Sequence, residues 1–228
     1  MSTYVLVPGA GSDHWYWHRV EPLLRARGHD VVAVDLPCDD DSAGLDVYVD
    51  RVVEAIGDHD DVVLVAQSMG GLSAPVACTR APVRLLVLVN AMIPSPGESG
   101  GEWWSRTGAT EAFRELAVAD GRDPDRFDDD EVFLHDVPPA LVASGAAHVL
   151  EQSEAPFAAP SPLERWPDVP TRVLVSEGDR CFPSPFQRRI SLERLGIEPD
   201  ELPGGHLPAL AHPEELVERL EAYRSAVA

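Results

Sequence analysis

Five short runs rich in β-branched residues, at positions 4–7, 31–34, 62–65, 85–89 and 172–175, are bounded by turn residues and lack polar alternation. Runs of that kind predict strands buried on both faces of a sheet. Between the first three, apolar residues recur at helical spacing over 18–27, closed by Gly28, and over 45–56, closed by Gly57. A third helix is predicted over 72–79, with Pro75 accommodated near its first turns. A last strand is expected around 198–202, and a final helix over 213–226 carries Leu216, Leu220 and Tyr223 on one face. Strand-helix alternation predicts a doubly wound, mostly parallel sheet, whose sites lie at the carboxyl ends of the strands.

Residues 93–167 break the alternation. This stretch is rich in Pro, Gly, Ser and acidic residues and holds Trp103, Trp104, Phe113, Phe133, Phe157 and Trp166. Helices are predicted over 110–120 and 139–152, because so long a connection inside a domain is rarely structureless. The expected organisation is a core formed by 1–92 and 168–228, with 93–167 inserted as a small helical cap (lid). The aromatic residues of the insert are expected to pack it on itself and on the core, with some lining a pocket.

Composition narrows the function. The chain has 228 residues, 44% of them hydrophobic, enough for one sizeable core. No apolar run is long enough to span a membrane, and the N-terminus reads as a strand, not a signal peptide. Three cysteines, Cys38, Cys78 and Cys181, form neither a disulfide framework nor a zinc signature, and the expected compartment is the cytoplasm. The net charge is -21, and all 18 basic residues are arginine. Acidic runs at 39–41, 58–61 and 128–131 read as solvated surface. Such a surface repels phosphate backbones and anionic lipid, so neither nucleic acid nor membrane is an expected partner.

The chemistry begins at residues 62–71, VVLVAQSMGG. A buried strand, a one-residue corner and a glycine-led helix form a nucleophile elbow, with Ser68 at the corner and Ala66 as the small residue two positions earlier. Ser68 taken alone could equally be a helix N-cap. A nucleophilic serine needs a base, and the base needs an orienting acid. His206 lies in the glycine-rich turn PGGHLP between the last strand and the last helix, and Asp179 in the turn after the strand at 172–175. The order Ser68, Asp179, His206 is one of the known triad orders. Asn90, at the end of the strand before the insert, cannot supply the carboxylate. Backbone N–H groups of Met69 and of Ala10, in the loop PGAGS, are the expected oxyanion donors. His135 and Asp136 are expected to fix a loop more than to act in the pocket. This chemistry calls for no metal and no organic cofactor.

With these residues in place, the chain resembles the α/β-hydrolase superfamily over its whole length. The opening VLVPGAGSDHWYWHRVEPLLRARGHDVVAVDLP is similar to the branch of plant methylesterases and hydroxynitrile lyases with their bacterial esterase relatives. Trp15, Trp17, Pro22, Leu23, Leu24, Gly28, His29, Val31, Asp35 and Leu36 carry that similarity. The resemblance implies the α/β-hydrolase fold, here with a six-stranded sheet, flanking helices and a helical cap. It implies Ser68, Asp179 and His206 as catalytic residues, Ala10 and Met69 as oxyanion donors, and a small-molecule carboxylic ester as substrate. Pro8 replaces the usual histidine of the oxyanion loop. The lyases of this branch use a lysine after the catalytic histidine and a threonine in the oxyanion loop, where this chain has Leu207 and Gly9. Ester hydrolysis through an acyl-enzyme is therefore expected. A lyase or cyclase step on the same scaffold, or a slow ligand sensor, is the alternative.

Overall fold

The computed structural model describes residues 1–227. Strands β1 (Thr3–Val7), β2 (Asp30–Ala33), β3 (Val62–Gln67), β4 (Leu85–Val89), β5 (Thr171–Ser176) and β6 (Asp200–Leu202) form one sheet in the order β2-β1-β3-β4-β5-β6. All five pairings are parallel. The six expected strands are present, the last covering only Asp200–Leu202 of the expected 198–202.

Side chains of a strand alternate between faces, and both faces here are apolar. Val5, Val7, Leu64, Ala66, Leu86, Leu88, Val173 and Val175 enter one core, while Tyr4, Leu6, Val63, Val65, Leu85, Val87 and Leu174 enter the other. Helix α1 (Val20–Ala26) covers the second core with Val20 and Leu24, and α2 (Leu45–Ile56) covers the first with Tyr48, Val49, Val52 and Ile56. Helix α3 (Gly70–Ala77) is buried along its whole length. Burial of each such aliphatic side chain contributes about 1.5–3 kcal/mol, so the sheet is a rigid base for the loops at its ends.

The helix expected over 18–27 starts later than its pattern. A 3-10 turn at His14–Trp17 precedes α1, because the Asp13 carboxylate caps the Trp15 N–H at 2.8 Å. Between β4 and β5 run α4 (Gly100–Thr107), α5 (Ala109–Ala119), α6 (Asp129–Val132), α7 (Pro139–Gly145), a 3-10 turn at Ala146–His148, and α8 (Ala155–Ala158). Helix α5 matches the predicted 110–120 segment. The helix predicted over 139–152 ends early. Val149 is extended and bridges antiparallel to Ser12, and Leu150 N–H donates to the Gly11 carbonyl at 2.9 Å. Those long-range bonds override the local helical pattern.

Beyond β5 come α9 (Ser184–Leu195), α10 (Pro208–Ala211) and α11 (Pro213–Ala226). Helix α11 lays Leu216, Val217, Leu220 and Tyr223 on the second core. Among the described residues, no helix is long and apolar enough to cross a membrane.

Strand register decides where the site lies. Val7 pairs with Ala66, and Gln67 with Val89, so the chain leaves β1, β3 and β4 at one level. That brings residues 8–12, Ser68 and Asn90 side by side. Ser176 pairs with Leu202, which sets the turns carrying Asp179 and His206 next to each other.

Candidate active site

At the end of β3 the backbone turns sharply. Ser68 has φ 50, a conformation that non-glycine residues adopt only under constraint. The Ser68 N–H donates to Val89 O at 3.2 Å, and Ser68 O accepts from Met92 N–H at 2.9 Å and Gly71 N–H at 3.1 Å. These bonds hold the corner open. The turn also needs its glycines: a β-carbon at Gly71 would collide with the Met92 carbonyl oxygen and lie 3.1 Å from Ala91 Cβ. At Gly9 it would collide with the Gln67 carboxamide and lie 2.9 Å from Ser68 Cβ.

The structure brings Ser68, His206 and Asp179 together across the sheet. Ser68 Oγ lies 2.9 Å from His206 Nε2, and His206 Nδ1 lies 2.7 Å from Asp179 Oδ2. Asp179 is 1% and His206 2% exposed. A buried carboxylate needs donors, and Asp179 has them. Its Oδ1 accepts from the N–H groups of Cys181 at 2.8 Å and Phe182 at 2.9 Å, and its Oδ2 from Gln187 Nε2 at 3.1 Å. With Nδ1 facing this carboxylate, the ring proton belongs on Nδ1, leaving the Nε2 lone pair to accept the Ser68 hydroxyl proton.

A second layer of polar side chains holds the histidine turn. Gln67 Nε2 donates to the His206 carbonyl at 3.1 Å, and Asn90 Nδ2 donates to the same oxygen at 3.2 Å and to Gly205 O at 3.3 Å. Asn90 is fully buried, has φ 46, and also donates to Ser176 Oγ at 2.9 Å while accepting from Ser176 N–H at 2.7 Å. Asp136 reaches in from the insert and accepts the Gly205 N–H at 2.6 Å, fixing a loop as the sequence suggested. Phe133 and Phe182 pack on the His206 ring at centroid distances of 5.3 and 5.2 Å.

The sequence had excluded Asn90 as the acid and missed its part in this network. The usable signal was an asparagine at a strand end, a residue that tolerates positive φ. Gln67, Ser176 and Gln187 carried no such signal.

Ala10 and Ser68 line one cavity of about 370 Å³, together with Gly11, Ser12, Asp129, Phe133, Leu134, Gln152 and others. Among the described residues, neither the Ala10 nor the Met69 N–H donates to a protein acceptor. A second chamber of about 310 Å³ shares Ser12, Leu134, Val149 and Leu207 with the first and is walled by Trp15, Val137, Leu141, Val142 and Leu210. The carboxylates on the two linings are Asp13, Asp129 and Asp130, and no arginine lies on either. Of the aromatic residues named in the insert, Phe133 faces this space, while Trp103 is buried against Trp104, Phe182 and Phe186.

The cysteines are poor candidates for a nucleophile. Burial, with the Asp179 charge adding to it, pushes the Cys181 thiol well above its usual range. Burial also pushes Cys78 up to about 12 and raises Cys38. No group of three or more His, Cys, Asp or Glu side chains with metal-ligand geometry occurs among the described residues.

Comparison with known proteins agrees with this architecture. The model of the alpha/beta hydrolase family matches residues 4–219. Methylesterase 3 of Arabidopsis thaliana is 34% identical over 119 residues, covering 45% of this chain and 44% of that protein. Polyneuridine aldehyde esterase of Rauvolfia serpentina is 33% identical over 112 residues, covering 42% of this chain and 41% of that protein. The aligned stretches thus span less than half of these relatives. The crystal structure of a pyrethroid hydrolase from Sphingobium faniae JZ-2 superposes with a TM-score of 0.76 at 24% identity, covering 99% of this chain and 98% of that one.

Proposed function

The chain belongs to the alpha/beta hydrolase family, and from that premise we propose that it is a serine hydrolase of small-molecule carboxylic esters. His206 takes the Ser68 proton as Oγ attacks the ester carbonyl, and Asp179 holds the ring and stabilises the imidazolium. The Ala10 and Met69 N–H groups receive the developing oxyanion, the latter aided by the N-terminus of α3. The alcohol departs with a proton from His206, leaving an acyl group on Ser68. His206 then activates a water that releases the acid. Residues 1–92 and 168–228 serve as the catalytic core, and 93–167 as the cap that keeps the pocket apolar.

The observation that carries this reading is the unbroken contact from Ser68 Oγ through His206 to Asp179, at 2.9 and 2.7 Å. The lining supports a narrower substrate class. Aliphatic and aromatic walls with Asp13, Asp129 and Asp130 at their edges favour a neutral, apolar ester and repel one bearing a free carboxylate. Cyanohydrin cleavage is disfavoured, because Leu207 follows His206 and the chain has no lysine ammonium to stabilise a departing cyanide anion.

A fluorophosphonate probe is expected to label Ser68, and Ser68→Ala to abolish turnover of p-nitrophenyl butyrate. A p-nitrophenyl ester bearing a free terminal carboxylate is expected to be turned over far more slowly. Unchanged hydrolysis in Ser68→Ala overturns the mechanism.

A further inference from the structure

Where the insert returns to the core, residues 149–153 lie directly on the loop that carries Ala10. Ser12 and Val149 form an antiparallel bridge, and Leu150 N–H donates to Gly11 O at 2.9 Å. In return, Gly11 N–H donates to Gln152 Oε1 at 3.0 Å. Gln152 is itself immobilised, because its Nε2 group donates to the Tyr48 hydroxyl at 3.1 Å and to Ser153 O at 2.9 Å. Tyr48 donates to Pro37 O at 3.3 Å, and burial pushes its hydroxyl up to about 12, so it stays protonated. Ser153 is tied down as well, through its N–H to Cys38 O at 2.7 Å and its Oγ to Asp41 at 2.9 Å.

These bonds act on one peptide plane. Gly11 N–H and the Ala10 carbonyl share it, so fixing Gly11 N–H fixes the Ala10 ψ and the Gly11 φ of 62. The Ala10 N–H belongs to the preceding peptide, whose other end, Gly9, is packed against Gln67 and Ser68, so anchoring the following plane as well restricts its direction. The Gly11 amide is engaged by Gln152, while the Ala10 amide is free of protein acceptors among the described residues. Substitution at Gly11 would disturb the same contact, since a β-carbon there would stand 2.9 Å from Leu150 O.

We infer that Gln152 is a positioning residue that aims the Ala10 N–H, and that the oxyanion hole is complete only while the 149–153 strap is seated. Gln152 lines the Ser68 cavity, but with its donors engaged by Tyr48 and Ser153 it acts through the loop and not on substrate. This inference rests on the serine-hydrolase reading above.

The test compares wild type, Gln152→Met, Tyr48→Phe and the double variant. The readouts are kcat and KM on p-nitrophenyl butyrate, affinity for a trifluoromethyl ketone that forms an oxyanion with the serine, and Tm. Methionine keeps the side-chain bulk and removes the acceptor. Gln152→Met is expected to lower kcat by about tenfold to a hundredfold, with KM within about threefold of wild type. Trifluoromethyl ketone affinity should fall in parallel. Tyr48→Phe should show a smaller loss of the same kind, and the double variant should be no worse than Gln152→Met alone. A folded Gln152→Met with wild-type kcat, a loss confined to KM, or additive effects overturns the inference. If Gln152→Met does not fold, Tyr48→Phe decides: a kcat loss supports the inference and an unchanged kcat overturns it. Absence of Ser68-dependent hydrolysis in wild type is a separate outcome, which overturns the functional reading itself.

Discussion

A serine, a histidine and a carboxylate meet at each end of the sheet. At the amino end, Ser2 N–H donates to His29 Nδ1 at 3.2 Å, and His29 Nε2 faces Glu221 Oε2 at 3.1 Å. At the carboxyl end, Ser68 Oγ faces His206 Nε2, and His206 Nδ1 faces Asp179. Composition is the same and the wiring is opposite. His29 accepts from a backbone amide, so its ring proton points at Glu221 and no lone pair is left for a hydroxyl. The Ser2 hydroxyl gives its proton directly to Asp61 at 2.6 Å. His206 donates its Nδ1–H hydrogen bond to the acid and turns its lone pair toward a serine held at a constrained corner beside a cavity. On the proposed mechanism, reactivity follows from the direction of the hydrogen bonds, the corner at Ser68 and the space in front of it, more than from which residues are present.

The largest effect should come from exchanging histidines between the two accounts. His206→Ala is expected to lower kcat by about 10⁴-fold or more. His29→Ala should leave kcat within about twofold, because it lies remote from the reacting atoms, yet destabilise the chain by about 1–3 kcal/mol through the buried amide it strands. Esterase kinetics and urea unfolding on both variants check the split. Similar losses of kcat in the two would break the comparison.

Asn90→Ala comes next. It removes the side chain that ties the His206 turn to Ser176, and the expected result is a fall in kcat of about tenfold with little change in KM. A change in stability alone would reduce Asn90 to a structural residue.

The smallest effect concerns acid. Burial pushes the Glu221 carboxyl up, but hydrogen bonds from Arg224, Tyr4 and His29 outweigh it and hold it below its ordinary value. Asp61 behaves alike, with Ser2 and Arg84 outweighing burial. A carboxyl held low in the folded chain stabilises it above the unfolded pKa, about 4.3 for Glu and 3.9 for Asp, and that contribution is lost as the pH falls through the folded value. Urea midpoints measured downward from neutral pH should therefore drop below the ordinary carboxylate range. Glu221→Gln should drop less steeply there, and an unchanged slope would show that the amino-end cluster does not govern acid sensitivity.

Much of this was legible in the chain. Doubly buried strands are uniformly apolar, so β1, β3 and β4 stood out, and Ser68, Asp179 and His206 were marked by turns at strand ends. Helix α9 was not read, although Pro183, Pro185 and Gly196 frame it, because only Phe186 and Ile190 place apolar side chains one turn apart on its buried face. The helix predicted over 139–152 failed where Leu150 and Gln152 bond to Gly11, more than a hundred residues away in sequence. Gln67 and Asn90 were opaque for the same reason, since their partners at His206 lie 139 and 116 positions along the chain. The acidic run at 58–61 was read as solvated, yet Asp61 pairs with Arg84 at 2.6 Å and with Ser2. Local pattern reports burial and turns, while pairing between distant polar side chains leaves no trace in it.

The central claim is that the carboxyl-end serine, and no other, carries the acyl group. Rapid acid quenching during turnover of p-nitrophenyl butyrate, followed by peptide mass spectrometry, measures this directly. The account predicts a single butyryl group on the peptide containing Ser68, absent in Ser68→Ala. A butyryl group on another residue, or turnover that persists in Ser68→Ala with no acylated peptide, would contradict it.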